Sequence, residues 1–189
     1  MNFALALLLG TLSVAVATDL CARRILNPLV LLGLVVAIAY HGLVAPGNGI
    51  LHASSGAIGA VPALAGIAVG FAALFPLYAL RAMGAGDVKL MMMVGAFLGP
   101  LQTLGVVVLT FLAGGVLAIV MALWQRSFRQ LATNLRFMLT TSAIRAAGGD
   151  SPRFEPLAHT AGRMPYAVAI AAGVVLQLIL VRSGGWALS

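Results

Sequence analysis

Long apolar runs, broken only by short polar or glycine- and proline-rich segments, decide what this chain can fold into. Residues 2–18, 28–44, 56–80, 88–98, 101–124 and 164–182 contain only Lys89 and Arg182 as charged side chains. A helix needs about 20 apolar residues to cross a hydrocarbon core of roughly 30 Å, where the backbone must satisfy its own hydrogen bonds. With 62% hydrophobic and 8% charged residues and a mean hydropathy of +1.10, the chain is too apolar for a water-soluble domain of 189 residues. The expectation is an all-α polytopic bundle of six transmembrane helices, a single integral membrane domain over residues 1–189.

The fourth run is the weakest, since residues 88–98 rise only about 17 Å as a helix. Either that helix begins near Ala82, or its ends sit in a thinned or protein-lined part of the membrane. The first run ends in Ala15-Val16-Ala17, similar to a signal-peptide cleavage site, but no Lys or Arg precedes it and Arg23 and Arg24 follow it. A retained first span is therefore expected.

Other function classes find little support. Cys21 is the only cysteine, so no disulfide framework or CxxC zinc pair exists, and His41, His52 and His159 are scattered; neither a metal nor a cofactor is expected. The net charge of +7 falls in segments between spans without interleaved aromatics, which argues against nucleic acid and for an anionic lipid surface. Residues 125–163 hold six arginines together with Asp150 and Glu155. Within them Phe128, Leu131, Leu135, Met138 and Ser142 recur at spacings of three and four, while Arg129 and Arg136 fall elsewhere, predicting an amphipathic interfacial helix.

Charge also sets topology. If 19–27, 81–89 and 125–163 share one side, that side holds ten of the eleven Lys and Arg residues, and the positive-inside rule makes it cytoplasmic. Both termini then lie outside, and Asp19 and Asp87 face the same side.

Those two are the acids among only four that border apolar runs, and an ionisable group beside lipid is a functional-site candidate. Asp87 belongs to Gly84-Ala85-Gly86-Asp87-Val88-Lys89. Brought together, two carboxyls can share one proton, one activating water while the other polarises a carbonyl. Gly84 and Gly86, lacking Cβ, suit close approach of an extended substrate backbone. Helix polarity favours the anion at Asp87, before a helix N-terminus, and leaves the shared proton to Asp19, at a helix C-terminus. The structural alternative is that Asp87 caps its helix and pairs with Lys89 or Arg81, while Asp19 pairs with Arg23 or Arg24. Lys89 reads as a positive-inside anchor, and Met91 to Met93 read as packing residues.

The stretch Gly84 to Leu90 resembles the Gly-x-Gly-Asp motif of the type IV prepilin peptidases, a family of membrane aspartic peptidases. Asp19 with Arg23-Arg24-Ile25-Leu26-Asn27 resembles that family's earlier aspartate and its Arg-x-Ile-Pro-Asn-like turn, with Leu26 in place of the usual proline and Pro28 nearby. The short length and the stretch from Met164 to Ala171 are similar to the small CpaA/TadV-like branch that serves Flp/Tad pili. The resemblance implies a cytoplasmic-membrane endopeptidase that cuts the basic leader from prepilins or pseudopilins at the cytoplasmic face. Asp19 and Asp87 would be the catalytic pair, with Lys89 and Asn27 in support. Larger members carry a cytoplasmic insertion with paired CxxC motifs and methylate the new N-terminus; with one cysteine this chain is expected to need no zinc. Two other readings stand beside it: a small ion- or proton-coupled transporter, which predicts mid-bilayer acids and repeated halves, and a non-catalytic subunit of a pilus or secretion assembly.

Overall fold

The computed structural model describes residues 3–44, 57–124, 136, 140 and 166–184. Among them are six helices and no strand: α1 (Phe3–Ala22), α2 (Asn27–Leu43), α3 (Ala60–Ala79), α4 (Ala85–Leu98), α5 (Pro100–Trp124) and α6 (Tyr166–Arg182). By length and composition α1, α3 and residues Pro100–Met121 of α5 can cross a membrane, while α2 and α6 are shorter apolar helices. The chain is thus a helical membrane protein, and its helices match the six apolar runs to within a few residues. The interfacial helix expected between 125 and 163 lies outside the described residues. Arg136 and Thr140 alone are described there, the Thr140 hydroxyl donating to the Arg136 carbonyl at 2.9 Å.

On α2 and α3 the buried stripe is marked by small side chains more than by polarity. The buried stripe of α2 is Val30, Gly33, Ala37 and His41, and that of α3 is Ala63, Gly66, Gly70 and Leu74, each at helical spacings of three and four. Opposite faces expose Leu31, Leu32 and Val35 on α2, and Phe71 and Phe75 on α3. Apolar residues suit both protein and lipid, so small side chains mark where helices approach. Gly66 and Gly95 are the closest case: a Cβ on either would strike the other's carbonyl. A Cβ on Gly70 would stand 2.7 Å from the Met91 carbonyl oxygen, so α3 and α4 pack backbone to backbone.

The short fourth run resolves into the centre of the molecule. α4 has 14 residues, about 21 Å, and touches every other described helix. Val88, Leu90, Met91 and the whole of Met93 to Leu98 are buried in it. A helix surrounded by protein does not have to match the hydrocarbon thickness on its own. It starts at Ala85, between the two sequence expectations, and ends at Gly99, whose φ of 81° only glycine adopts freely, before Pro100 opens α5.

Two sets of contacts orient the bundle. The start of α4 bonds to the start of α2 through Lys89 and Asn27, and the end of α1 bonds to the start of α6 through Asp19 and Ala167. At the opposite end the buried His41 accepts the Ile58 N–H at 3.2 Å through Nδ1 and stacks edge-on against Tyr40 and Phe97.

Candidate active site

The buried face of α1 runs Ala4, Leu8, Leu12, Ala15, Asp19, with steps of four, four, three and four. Asp19 was expected to follow the first span, but α1 continues to Ala22, and the carboxyl therefore lies on the face turned into the bundle, only 8% exposed. Its Oδ2 accepts the Ala167 N–H of α6 at 3.1 Å. α1 closes at Arg23, which takes a left-handed φ of 51° while its N–H donates to the Asp19 carbonyl at 2.9 Å. That turn redirects the chain over Arg24, Ile25 and Leu26 into α2.

Asp87 occupies the third position of α4, with Gly84 as the N-cap. Its Oδ2 accepts the Gly84 N–H at 3.2 Å, and its own N–H donates to the Gly84 carbonyl at 3.2 Å. Glycine has no capping side chain, so this is the returning half of a capping box. The helix before it ends in a left-handed turn at Arg81, φ 60°, with Arg81 N–H bonded to the Tyr78 carbonyl and Ala82 N–H to that of Leu77. This is a Schellman closure carried by a residue other than glycine.

The two acid-bearing segments meet, α1 packing against α4. The Lys89 ammonium donates to Asn27 Oδ1 at 3.1 Å, tying the Asp87 segment to the turn that follows Asp19. The Lys89–Asp87 pairing weighed in the sequence is replaced by this bond across 62 residues. Gly86 takes part in the same junction. A Cβ there would lie 3.2 Å from Ile25 Cβ, so the close approach it permits in this structure is to Ile25, while Gly84 is exposed beside the Asp87 carboxylate.

Helix polarity does not separate the two acids as the sequence suggested. Asp19 ends α1 yet accepts an N–H from the first turn of α6, so each carboxylate has a backbone donor at a helix N-terminus. Ala167, whose amide meets Asp19, and Tyr166 before it, whose hydroxyl rests against Gly114 of α5, are neighbours that motif reasoning passed over. They open a helix in an apolar stretch, and nothing in their local sequence links them to either acid. Among the described residues no three His, Cys, Asp or Glu side chains come together as metal ligands. His52 and His159 lie outside the described residues, and His41 sits at the other end of the bundle.

Two carboxyls interacting through their charges can hold one proton between them, leaving one group able to accept a proton and the other to donate one. Comparison with curated proteins and with solved structures finds no match. The type IV leader peptidase family matches residues 6–119, a span that holds Asp19, Asn27, Gly84, Gly86, Asp87 and Lys89 and more than half of the chain. The chain belongs to the type IV leader peptidase family.

Proposed function

We propose that the protein is a membrane aspartic endopeptidase that removes the short basic leader from prepilin or pseudopilin precursors, with Asp19 and Asp87 as its catalytic pair. The observation that carries this is the junction of the two acid-bearing segments at one end of the bundle, through the Lys89–Asn27 bond and the approach of Gly86 to Ile25, inside the region matched by the family. The positive-inside rule assigns that end to the cytoplasm, where a basic leader emerges before an apolar stalk enters the membrane. The short Met164 to Ala171 similarity favours Flp/Tad-type precursors.

In this mechanism a water molecule lies between the carboxyls. The ionised one takes a proton from the water as its oxygen attacks the scissile carbonyl carbon. The protonated one gives its proton to the carbonyl oxygen, forming a neutral gem-diol. Collapse returns a proton to one carboxylate and passes another to the leaving nitrogen as the C–N bond breaks. The products are a leader carboxyl and a new amino terminus, and the pair again holds one proton. Turnover then falls at low pH, where neither acid can accept, and at high pH, where neither can donate, giving a bell-shaped profile.

The test is cleavage of a reconstituted prepilin by wild type, Asp19→Asn and Asp87→Asn. Each substitution should reduce turnover by at least about a thousandfold, since members of a unit that acts together are each needed. Cleavage surviving in both variants would overturn the aspartic reading, and no cleavage by wild type would leave the non-catalytic assembly role.

A further inference from the structure

We propose that the backbone N–H of Ala167 is the positioning group of Asp19, and that α6 is therefore a working part of the active site. The inference rests on the peptidase reading of Asp19 and Asp87 and adds to it the element that sets how one of the acids is presented.

The contact is a buried hydrogen bond of 3.1 Å from the Ala167 N–H to Asp19 Oδ2. Ala167 is the second residue of α6, and the first N–H groups of a helix have no partner within it. Its amide is thus available to Asp19 without loss to the helix. Its side chain is a single methyl, 0% exposed, which lets the backbone come this close to α1. Asp19 in turn stands on the last turn of α1, on the face turned into the bundle. A carboxyl there is free to rotate about its side-chain bonds until a donor fixed in space holds one of its oxygens. With Oδ2 held against α6, Oδ1 is the oxygen left for water. Asp87 is held in the same manner, its Oδ2 accepting the Gly84 N–H at 3.2 Å. Each acid is tied through one oxygen to a backbone amide.

A positioning group must itself be fixed, and α5 holds α6 along its length. Gln177 Nε2 donates to Gln102 Oε1 at 2.8 Å. Gly173 fits around Thr110, where a Cβ would stand 2.8 Å from the Thr110 backbone nitrogen and 3.0 Å from the Val106 carbonyl oxygen. The Tyr166 hydroxyl rests against Gly114, 3.6 Å from where a Cβ would lie. Sliding or rolling α6 breaks these contacts, so the Ala167 amide meets Asp19 at a set point. Reacting groups held at a set point are what the chemistry requires, since small misplacements are costly. The family match ends at residue 119, before α6, so this assignment does not come from it.

The experiment replaces the Ala167 amide by an ester, with lactate incorporated at that position during cell-free synthesis of the full chain into vesicles. The ester keeps the methyl group and removes the N–H. The same replacement at Ala171, whose N–H belongs to the ladder within α6, is the control. The Ala167 ester is expected to lower kcat on a reconstituted prepilin about tenfold per folded molecule, with KM nearly unchanged. The Ala171 ester is expected to lower the thermal midpoint and keep the wild-type kcat. Wild-type kcat in the Ala167 ester, with or without a lowered midpoint, overturns the proposal, and so does an equal loss of kcat in both esters. A second measurement uses unaltered protein carrying isotope-labelled alanine. The Ala167 amide proton should titrate together with one limb of the cleavage profile, and an amide indifferent to pH across both limbs overturns the proposal whether or not the ester folds. Asp19→Asn and Asp87→Asn run alongside. If they still cleave, the peptidase reading fails and this proposal with it; if they are inactive while the Ala167 ester turns over as wild type does, only the role of α6 falls.

Discussion

At Gly86 the missing side chain is occupied by Ile25, which belongs to the other acid's segment. A methyl group there would press on Ile25 Cβ at 3.2 Å, tighter than ordinary contact, and the turn between α1 and α2 would have to yield by a few tenths of an ångström. Since that turn follows directly on the last helical turn of α1, which carries Asp19, the cost is read in geometry before stability. Gly86→Ala should lower kcat by about tenfold with the fold intact, because sub-ångström misplacement of reacting groups is costly. Gly86→Val should abolish cleavage. Steady-state cleavage with a thermal melt on each variant checks this, and wild-type turnover by Gly86→Val would refute it. The sequence made both motifs legible, and with them both acids, but it could not show that a glycine of one fits an isoleucine of the other. It placed Asp19 at a helix C-terminus but could not show the α6 amide that Asp19 also meets, which comes from a residue 148 positions away.

Helix by helix, apolar run length gave nearly every boundary, because a span must cover a fixed thickness of hydrocarbon. The exception is α4, whose short length is tolerated through burial by all its neighbours, in keeping with the protein-lined alternative that the sequence left open. The seam between α3 and α4 depends on Gly66 and Gly95 lying backbone against backbone. Backbone cannot turn aside as a flexible side chain can, so Gly66→Ala should destabilise the protein by about 1–3 kcal/mol, the usual cost of overpacking. Gly115→Ala, on the same chain with nothing within 4 Å of the added Cβ, should be neutral. Thermal unfolding in detergent separates the two, and equal midpoints would remove the argument. The bond from Lys89 to Asn27 is exposed and joins α4 to α2 at the site end. A single such bond contributes about 1 kcal/mol at most, so its value lies in holding the two acid segments in register. Lys89→Met and Asn27→Ala should each slow cleavage a few-fold, and the double variant should be no slower than the worse single, as for two ends of one contact. Additive losses in that cycle would show that the two residues act separately.

For the whole molecule, the decisive question is which way the site end faces. Arg23, Arg24, Arg81 and Lys89 cluster there, and Arg182 lies at the far end of α6. That asymmetry was readable from the sequence before any contact was known, whereas the gathering of four helix ends around one carboxyl pair was not, because it depends on how the helices pack. Cys21 offers a direct reporter. It is the sole cysteine, exposed and free, two residues beyond Asp19 on the same terminal turn of α1. A membrane-impermeant maleimide should label Cys21 in inverted membrane vesicles and leave it untouched in sealed, right-side-out ones. Moving the thiol by Cys21→Ser with Ser183→Cys, to an exposed position just after α6, should reverse the pattern. Labelling of Cys21 from outside would turn the bundle over and place the two aspartates away from the cytoplasmic leader they are proposed to cut. Labelling of both positions from one side would mean that an odd number of helices fails to cross.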